Sequence, residues 1–431
     1  MLPSSNHPAT NHQEAKKKQR LPNLLFMRRW WVIGASIVTS ATALSLRTSS
    51  IRSIRTSSIH KMSEFAEDDV STIMKGGEAE KAADFANYFC SYAYLYHQKQ
   101  MLMDHVRMRA YHNAIMMNKS MFEGKVVLDV GTGSGVLAIW AAQAGAAKVY
   151  AVEYTEMANH ARKMVEQNGV SDIVEVIQSS VEDLELPCKV DIIVSEWMGY
   201  FLLRESMLDS VIRARNRWMK PEGSMFPSHA TMYWSAISHE DDRQGKFNEY
   251  SSSMRDWLKF SEDMKRLYTI DCTAISEPFQ KEQIDYYIYS ALWTELQVEN
   301  VIGQPQVIKR LDLNTCTLQD ALGVTETPYE ISIPFPVTVS GFAGWFTVDF
   351  NGSKLTPAPR RVNLSTGPEA GYTHWGQQVF YLNKPIDCST DTKLHGVLEM
   401  VRQEKNKRLY NLRVANKVDD CDATVGVYEI P

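Results

Sequence analysis

The sequence predicts an α/β fold: a parallel, doubly wound sheet in the first half, followed by an antiparallel barrel or sandwich in the second. Three observations carry this. From Val126 to about Pro227, short apolar runs alternate with stretches of helical periodicity. Gly131, Gly133 and Gly135 crowd the end of the first run. Beyond Pro227, β-rich runs separated by turn sequences such as Asn351-Gly352 replace the alternation.

The elements follow in order. Ala82–Asn118 reads as helix almost throughout, dense in tyrosine, with Arg107 where a core-facing helix would not want a charge. Val126–Val130 is a buried strand, Val136–Ala144 a helix, Lys148–Val152 a second strand closing on Glu153. Helix Met157–Asn168, strand Val174–Ile177 and strand Val190–Val194 continue the pattern, and helix Met207–Met219 is ended by Pro221–Gly223. The later strand runs are Thr231–Ser235, Val307–Asp312, Tyr329–Phe335, Thr338–Phe350, Val379–Leu382, Leu394–Met400 and Leu409–Leu412. Among them Ser251–Tyr268 has helical spacing, with Trp257, Phe260, Met264 and Leu267 on one side. That apolar face packs either within its own half or against a second subunit.

The glycine spacing bears on ligand choice. A dinucleotide turn has Gly-x-Gly-x-x-Gly, whereas here the third glycine comes one residue early. Asp129 precedes the loop, and Glu153 stands where a carboxylate can accept both hydroxyls of a ribose.

Composition narrows the classes. The chain has 431 residues, a net charge of −5 and a pI near 6.2, which gives no case for direct nucleic-acid binding. Its six cysteines lie far apart without metal-type spacing, so reduced thiols and no metal are expected. Residues 1–62 differ: one acid, Glu14, stands against ten Lys or Arg, and Trp30–Leu46 is apolar but short for a spanning helix. An organelle transit peptide, a signal peptide or anchor, and sequence upstream of a start at Met62 all fit, and all exclude the segment from the globular fold. Residues 63–81 read as a flexible acidic lead-in, 82–227 as the nucleoside-binding domain and 228–431 as the β domain.

The stretch Ser195-Glu196-Trp197-Met198-Gly199-Tyr200-Phe201-Leu202-Leu203-Arg204-Glu205-Ser206-Met207 places two glutamates across a glycine bend, embedded in aromatic and aliphatic residues. Two close, partly buried carboxylates repel and need a cation, and a planar, forked guanidinium suits them.

With these residues in view, the chain resembles the protein arginine N-methyltransferases from about Asp84 to its C-terminus. VLDVGTGSG with AVE resembles that family's S-adenosylmethionine loop on a class I methyltransferase sheet, SEWMGYFLLRES its double-glutamate loop, YFCSY and MLMDHVRM its N-terminal helix, and THW its β-barrel signature, most like the plant-type members. The resemblance implies that Glu196 and Glu205 grip the substrate guanidinium, with Asp104 and His374 as a proton route or a clamp. For the cofactor it implies Arg107 on the methionyl carboxylate, Asp129, Gly131 and Gly133 in the loop, Glu153 on the ribose, Glu182 by the adenine, Gln98 near the ribose, and Tyr88 and Met101 over the cofactor. Tyr92, Met207 and Trp375 would contact substrate. THW, Met101 and Met207 imply a type I enzyme making asymmetric dimethylarginine on histones or Gly/Arg-rich proteins, with S-adenosylhomocysteine as by-product. A small cationic metabolite as acceptor, or an inactive arginine-binding scaffold, stays open as an alternative. The family likeness also implies a homodimer through residues 250–268 of an arm spanning about 240–275. A cytoplasmic and nuclear location is expected, with membrane or organelle contact only through the N-terminal extension.

Overall fold

The computed structural model describes residues 88–89, 92–404, 406–418 and 424–430. The expected N-terminal extension, the acidic lead-in and the first residues of the N-terminal helix lie outside the described residues.

The predicted N-terminal helix is two helices, α1 Leu95–Met103 and α2 His105–Met116. Asp104 interrupts them in an extended conformation, and its side chain accepts the Arg107 N–H at 2.9 Å, capping α2. A short α3, Lys119–Phe122, leads into the sheet. The alternating elements are then β1 Val126–Val130, α4 Val136–Gln143, β2 Lys148–Glu153, α5 Met157–Gln167, β3 Val174–Gln178, β4 Val190–Ser195, α6 Leu208–Trp218 and β5 Met219–Phe226. All strand pairs are parallel, in the order β3-β2-β1-β4-β5. Where the sequence suggests only a helix stop at Pro221–Gly223, the chain forms β5. Proline cannot donate to a ladder, and an edge strand tolerates it.

The sheet order reverses between β1 and β4, and register sets what emerges there. Val130 pairs with Val152 on one side and Ser195 on the other. Gly131, Glu153 and Glu196 therefore leave the carboxyl ends of three adjacent strands together, where open α/β sheets bind ligands.

The second half contains β6 His229–Ile237, α7 Glu240–Tyr268, α8 Ser276–Tyr287, β7 Leu292–Thr294, β8 Val301–Asp312, β9 Gly323–Ser332, β10 Val337–Asp349, β11 Asn363–Ser365, β12 Gln377–Cys388, β13 Lys393–Arg402, β14 Tyr410–Val418 and β15 Thr424–Ile430. They make two antiparallel sheets, β7-β12-β10-β6-β8 with β11 on β10, and β15-β14-β13-β9. The described strands are thus a barrel of two sheets rather than one closed hydrogen-bonded ring. One seam carries a single bridge, between Ser290 and Glu429. Trp234 fills the interior, fully buried and stacked on Phe342 at 5.2 Å. Tyr111 against Phe350 (4.9 Å) and Phe122 against Phe226 (5.4 Å) continue that core into the parallel half.

The arm is longer than the sequence suggests, because α8 adds Ser276–Tyr287 to it. Pro278 falls in the first turn of α8, where no intrahelical donor is lost. The predicted apolar face divides: Trp257 stacks on Phe279 of α8 at 4.2 Å, while Phe260 and Leu267 remain exposed beside Leu258 and Tyr268.

Asp129 is fully buried at the end of β1, and the Thr132 hydroxyl donates to its Oδ2 at 2.6 Å. Burial pushes its carboxyl up to about 7, against the opposing hydrogen bond from Thr132. An unfolded aspartate titrates near ~4, so between roughly pH 4 and 7 the folded chain holds a proton the unfolded chain has lost. Stability from this group therefore falls as pH rises through that window. Asp129→Asn keeps the acceptor for Thr132 and removes the ionisation. Its melting temperature relative to wild type should be higher at pH 8 than at pH 5 by at least ~2 °C, given ~2–4 °C per kcal/mol for a chain of this class. Scanning calorimetry at the two pH values checks this; an equal difference would mean that Asp129 is ionised throughout.

Candidate active site

The glycine turn is set by backbone conformation. Gly131, Gly133 and Gly135 have φ of 71°, 54° and 88°, a region that side chains rarely adopt. A Cβ on Gly131 would lie 2.3 Å from the Met207 methyl, and one on Gly133 2.9 Å from Gln98 Oε1. Gln98 and Met207 therefore press directly on the loop. Met207, expected on the substrate side, sits on the nucleoside loop itself. Gln98 is buried and donates to the Tyr92 carbonyl at 3.2 Å.

Glu153 holds the turn shut from beside it. Its Oε2 accepts the Gly133 N–H at 3.0 Å, and its Oε1 accepts from Thr155 N–H and Oγ1 at 2.9 and 2.8 Å. A carboxylate oxygen accepts more than one hydrogen bond, so this anchored acid can still take a diol. Asp129 lies beneath the loop and supports it through Thr132. Glu182, expected at the adenine, is exposed beyond β3 with its Oε1 accepting from the Ser210 hydroxyl of α6 at 2.9 Å.

The two glutamates of the predicted loop do meet at one mouth. Their side chains expose only 10% and 14% of their surface, and both act on the hydroxyls of Tyr88 and Tyr92. Each carries a cation from the chain itself. The Arg107 guanidinium rests on Glu196 Oε2, with Nε and Nη2 both at 3.2 Å. Arg204 Nη1 is 2.9 Å from Glu205 Oε1, and the Tyr92 hydroxyl donates to Glu205 Oε2 at 2.9 Å. Burial raises the Glu205 carboxyl; Arg204, Tyr92 and Arg408 pull it back down, and Glu196 adds to the rise. Burial and Glu205 also hold the Tyr92 hydroxyl well above its ordinary range, so it stays a donor. Glu196 Oε1 is buried without a hydrogen-bond partner among the described residues, and a buried acceptor of that kind calls for an explanation.

Around this mouth the remaining predicted residues take supporting positions. Asp104 is completely buried; its Oδ1 caps α2 and its Oδ2 accepts from the His374 N–H at 2.9 Å and meets His374 Nδ1 at 2.8 Å. Burial alone would raise this carboxyl, but the hydrogen bonds from His374 and Arg107 leave it lowered. The Met101 carbonyl accepts from Arg107 Nη1 at 3.3 Å. Trp375, expected on substrate, is buried instead, its indole N–H on the Met198 carbonyl at 2.7 Å. It wedges the double-glutamate loop from behind, because an indole that finds its one acceptor inside is stable there.

Sequence reasoning missed Arg204, Thr155 and Arg408. Arg204 was findable, standing next to Glu205 in an apolar stretch where a charge needs a partner. Arg408 reaches the site across more than two hundred residues, with no local signal. Among the described residues no group of His, Cys, Asp or Glu could hold a metal.

The residues present fit S-adenosylmethionine. The glycine positions of the loop let a nucleoside approach the backbone, Glu153 offers a fixed acceptor for its diol, and Arg107 is a cation within the same mouth.

Comparison with known proteins agrees with this geometry. Residues 228–420 match the family model described as arginine methyltransferase oligomerization subdomain, and residues 113–228 that of ribosomal protein L11 methyltransferase. The chain is 51% identical over 343 residues to protein arginine N-methyltransferase PRMT10 of Oryza sativa subsp. japonica, covering 78% of this chain and 89% of the relative. Identity to the Arabidopsis thaliana PRMT10 is 50% over 344 residues, covering 79% and 89%. The crystal structure of Arabidopsis thaliana protein arginine methyltransferase 10, in a uniquely open conformation, matches with a TM-score of 0.77 at 46% identity, covering 80% of this chain and all of that one. The Trypanosoma brucei PRMT1 enzyme–prozyme heterotetrameric complex with AdoHcy matches at 0.68 and 28%, covering 79% of this chain and all of that one.

Glu196→Gln should abolish methyl transfer while S-adenosylhomocysteine still binds within about tenfold of wild type, since Glu153 and not Glu196 is hydrogen-bonded to the glycine turn. Glu153→Ala should weaken that binding by more than ~1 kcal/mol through loss of charge-assisted hydrogen bonds. Calorimetric titration of both variants decides; the reverse pattern would exchange their roles.

Proposed function

This chain belongs to the protein arginine N-methyltransferase family and methylates arginine in proteins with S-adenosylmethionine; on that premise we propose that it is a type I enzyme, making mono- and asymmetric dimethylarginine. The observation that carries the reading is Glu196. It already binds a guanidinium, that of Arg107, on one oxygen and keeps the other buried and bare.

When bound, S-adenosylmethionine supplies a methyl group on a sulfonium sulfur, open to in-line attack by a nitrogen lone pair. The chain's task is therefore to present such a lone pair from a side chain that is protonated at neutral pH. Glu196 and Glu205 would grip the two ends of the substrate guanidinium and draw its positive charge toward themselves. That leaves the nitrogen facing the methyl group richer in lone-pair character. Arg204 and the Tyr92 hydroxyl oppose the burial that raises the Glu205 carboxyl. The Asp104–His374 pair favours the role of a clamp. Asp104 already spends its oxygens on the α2 cap and on His374, which fixes Arg107 at the third position of the helix. Met207 lies against Gly131 and the Met101 carbonyl against Arg107, and the bulk of these two methionines would set how a once-methylated arginine re-enters.

The acceptors we propose are Gly/Arg-rich proteins and histones, and the assembly a homodimer through the arm. The exposed Leu258, Phe260, Leu267 and Tyr268 represent several kcal/mol of uncovered burial at ~1.5–3 kcal/mol per large apolar side chain. A twofold partner offering Tyr94, Leu95, Tyr96 and Met103 from the region of α1 would cover them. Cys188, Cys272 and Cys316 are free thiols, which suits the proposed cytoplasmic and nuclear location.

Radiolabelled methyl transfer to a Gly/Arg-rich peptide and to histones, followed by hydrolysis and separation of the methylarginines, should give mono- and asymmetric dimethylarginine. Symmetric dimethylarginine, or the monomethyl form alone, would remove the type I assignment. Phe260→Ser combined with Leu267→Ser should sediment as a monomer with depressed turnover, although neither residue touches the mouth. A dimer that persists would place the interface elsewhere on the chain.

A further inference from the structure

The backbone of the double-glutamate loop is strained at the very residue that grips substrate. Phe201, Leu202, Glu205 and Ser206 have φ of 48°, 68°, 79° and 57°, none of them glycine. Such conformations persist only where the surroundings over-determine them. At Glu205 and Ser206 the surroundings are the turn between β13 and β14. The Glu205 N–H donates to the Arg408 carbonyl at 2.7 Å, Arg408 Nη1 donates back to the Glu205 carbonyl at 2.6 Å, and the Ser206 hydroxyl donates to the Lys407 carbonyl at 2.6 Å. Tyr410 at the start of β14 completes the grip, its hydroxyl 3.2 Å from that of Ser206.

The same Arg408 guanidinium also lies 4.0 Å over the ring of Tyr88 and 5.0 Å from that of Phe89. Tyr88 in turn packs on Tyr92 at 5.0 Å, and the Tyr92 hydroxyl holds the Glu205 carboxylate. One side chain thus joins the backbone of Glu205 to the aromatic segment whose third ring holds the carboxylate of Glu205.

We propose that Arg408 is a positioning residue for methyl transfer: through its contacts with Tyr88 and with the Glu205 backbone it couples the Tyr88 and Tyr92 rings to the placement of Glu205. The inference rests on Glu205 being a substrate-gripping carboxylate, as proposed above. Among the described residues, the groups that face Glu205 are Arg204 from its own loop, Tyr88 and Tyr92 from the N-terminal segment, Glu196 from the end of β4 and Arg408 from the barrel turn. Of these, Arg204 and Arg408 supply positive charge, and Arg408 alone also stacks on Tyr88.

The test uses the full chain with Arg408→Ala, Arg408→Gln and Arg408→Lys. Two readouts are taken: kcat/KM for a Gly/Arg-rich peptide against pH, and amide hydrogen exchange over residues 88–96 without cofactor. Removing the charge lets the Glu205 carboxyl rise further, and only its ionised form grips a guanidinium. The acid limb of the profile should therefore move to higher pH in the Ala and Gln variants by about half a unit or more. Exchange over 88–96 should quicken at least about fivefold as the cation–π contact is lost. Arg408→Lys keeps the charge, so the acid limb should return to its wild-type position. A neutral variant that keeps either the wild-type acid limb or the wild-type exchange overturns the coupling. If Arg408→Ala does not fold, the Gln and Lys variants, similar in length and different in charge, decide alone. Absence of transfer by the wild-type protein would instead refute the underlying activity, while the exchange readout still reports on the contact.

Discussion

Two carboxylates held together in a mouth shielded from water are the constraint to which the surrounding residues answer. Glu196 and Glu205 carry like charges where hydration is reduced, so each needs a compensating partner. Arg107 meets Glu196, Arg204 and Tyr92 meet Glu205, and Arg408 adds a third positive charge from the barrel. The cations are themselves placed by other elements. Arg107 is fixed by the Asp104 cap and the Met101 carbonyl, and Arg408 by the backbone of the loop it supports. Remove the compensation at any point and a buried charge is left unpaired, which costs far more than the pair itself contributes.

That requirement explains why the site draws on both halves of the chain. The parallel sheet, through its register, delivers Gly131, Glu153 and Glu196 to one rim. It has nothing with which to hold the opposite wall. The antiparallel half supplies that wall: Trp375 behind Met198, His374 on Asp104, and the 407–408 turn beneath Glu205 and Ser206. A nucleoside site could exist on the sheet alone. A guanidinium site, with its need for two oriented acids, could not.

Much of this was legible in the sequence because it is local. A strand, a glycine turn and an acid at the end of the next strand are read within thirty residues, and β1, α4 and β2 lie where the pattern put them. The double-glutamate loop was legible for a related reason: charged residues inside an apolar stretch must have partners. What the pattern missed follows from competing physics. β5 was hidden by a proline that only an edge strand accepts. Trp375 was assigned to substrate through the resemblance of THW to the family's signature, yet its indole N–H found an internal carbonyl.

That the two glutamates share one mouth was legible; the backbone path that places Glu205 there was not. Phe, Leu, Glu and Ser carry no preference for left-handed backbone, so nothing local foretells the turn at 201–206. Left to itself that segment would relax to an extended or helical path and swing the second carboxylate away from the first. It is retained because contacts distant in sequence close around it: Tyr92 before it, Trp375 and Arg408 long after. A shape enforced from three directions is held tightly once the fold is complete and has no reason to form before it. The gripping geometry is therefore a property of the assembled chain, and the residues that enforce it belong to the site as fully as the two glutamates do.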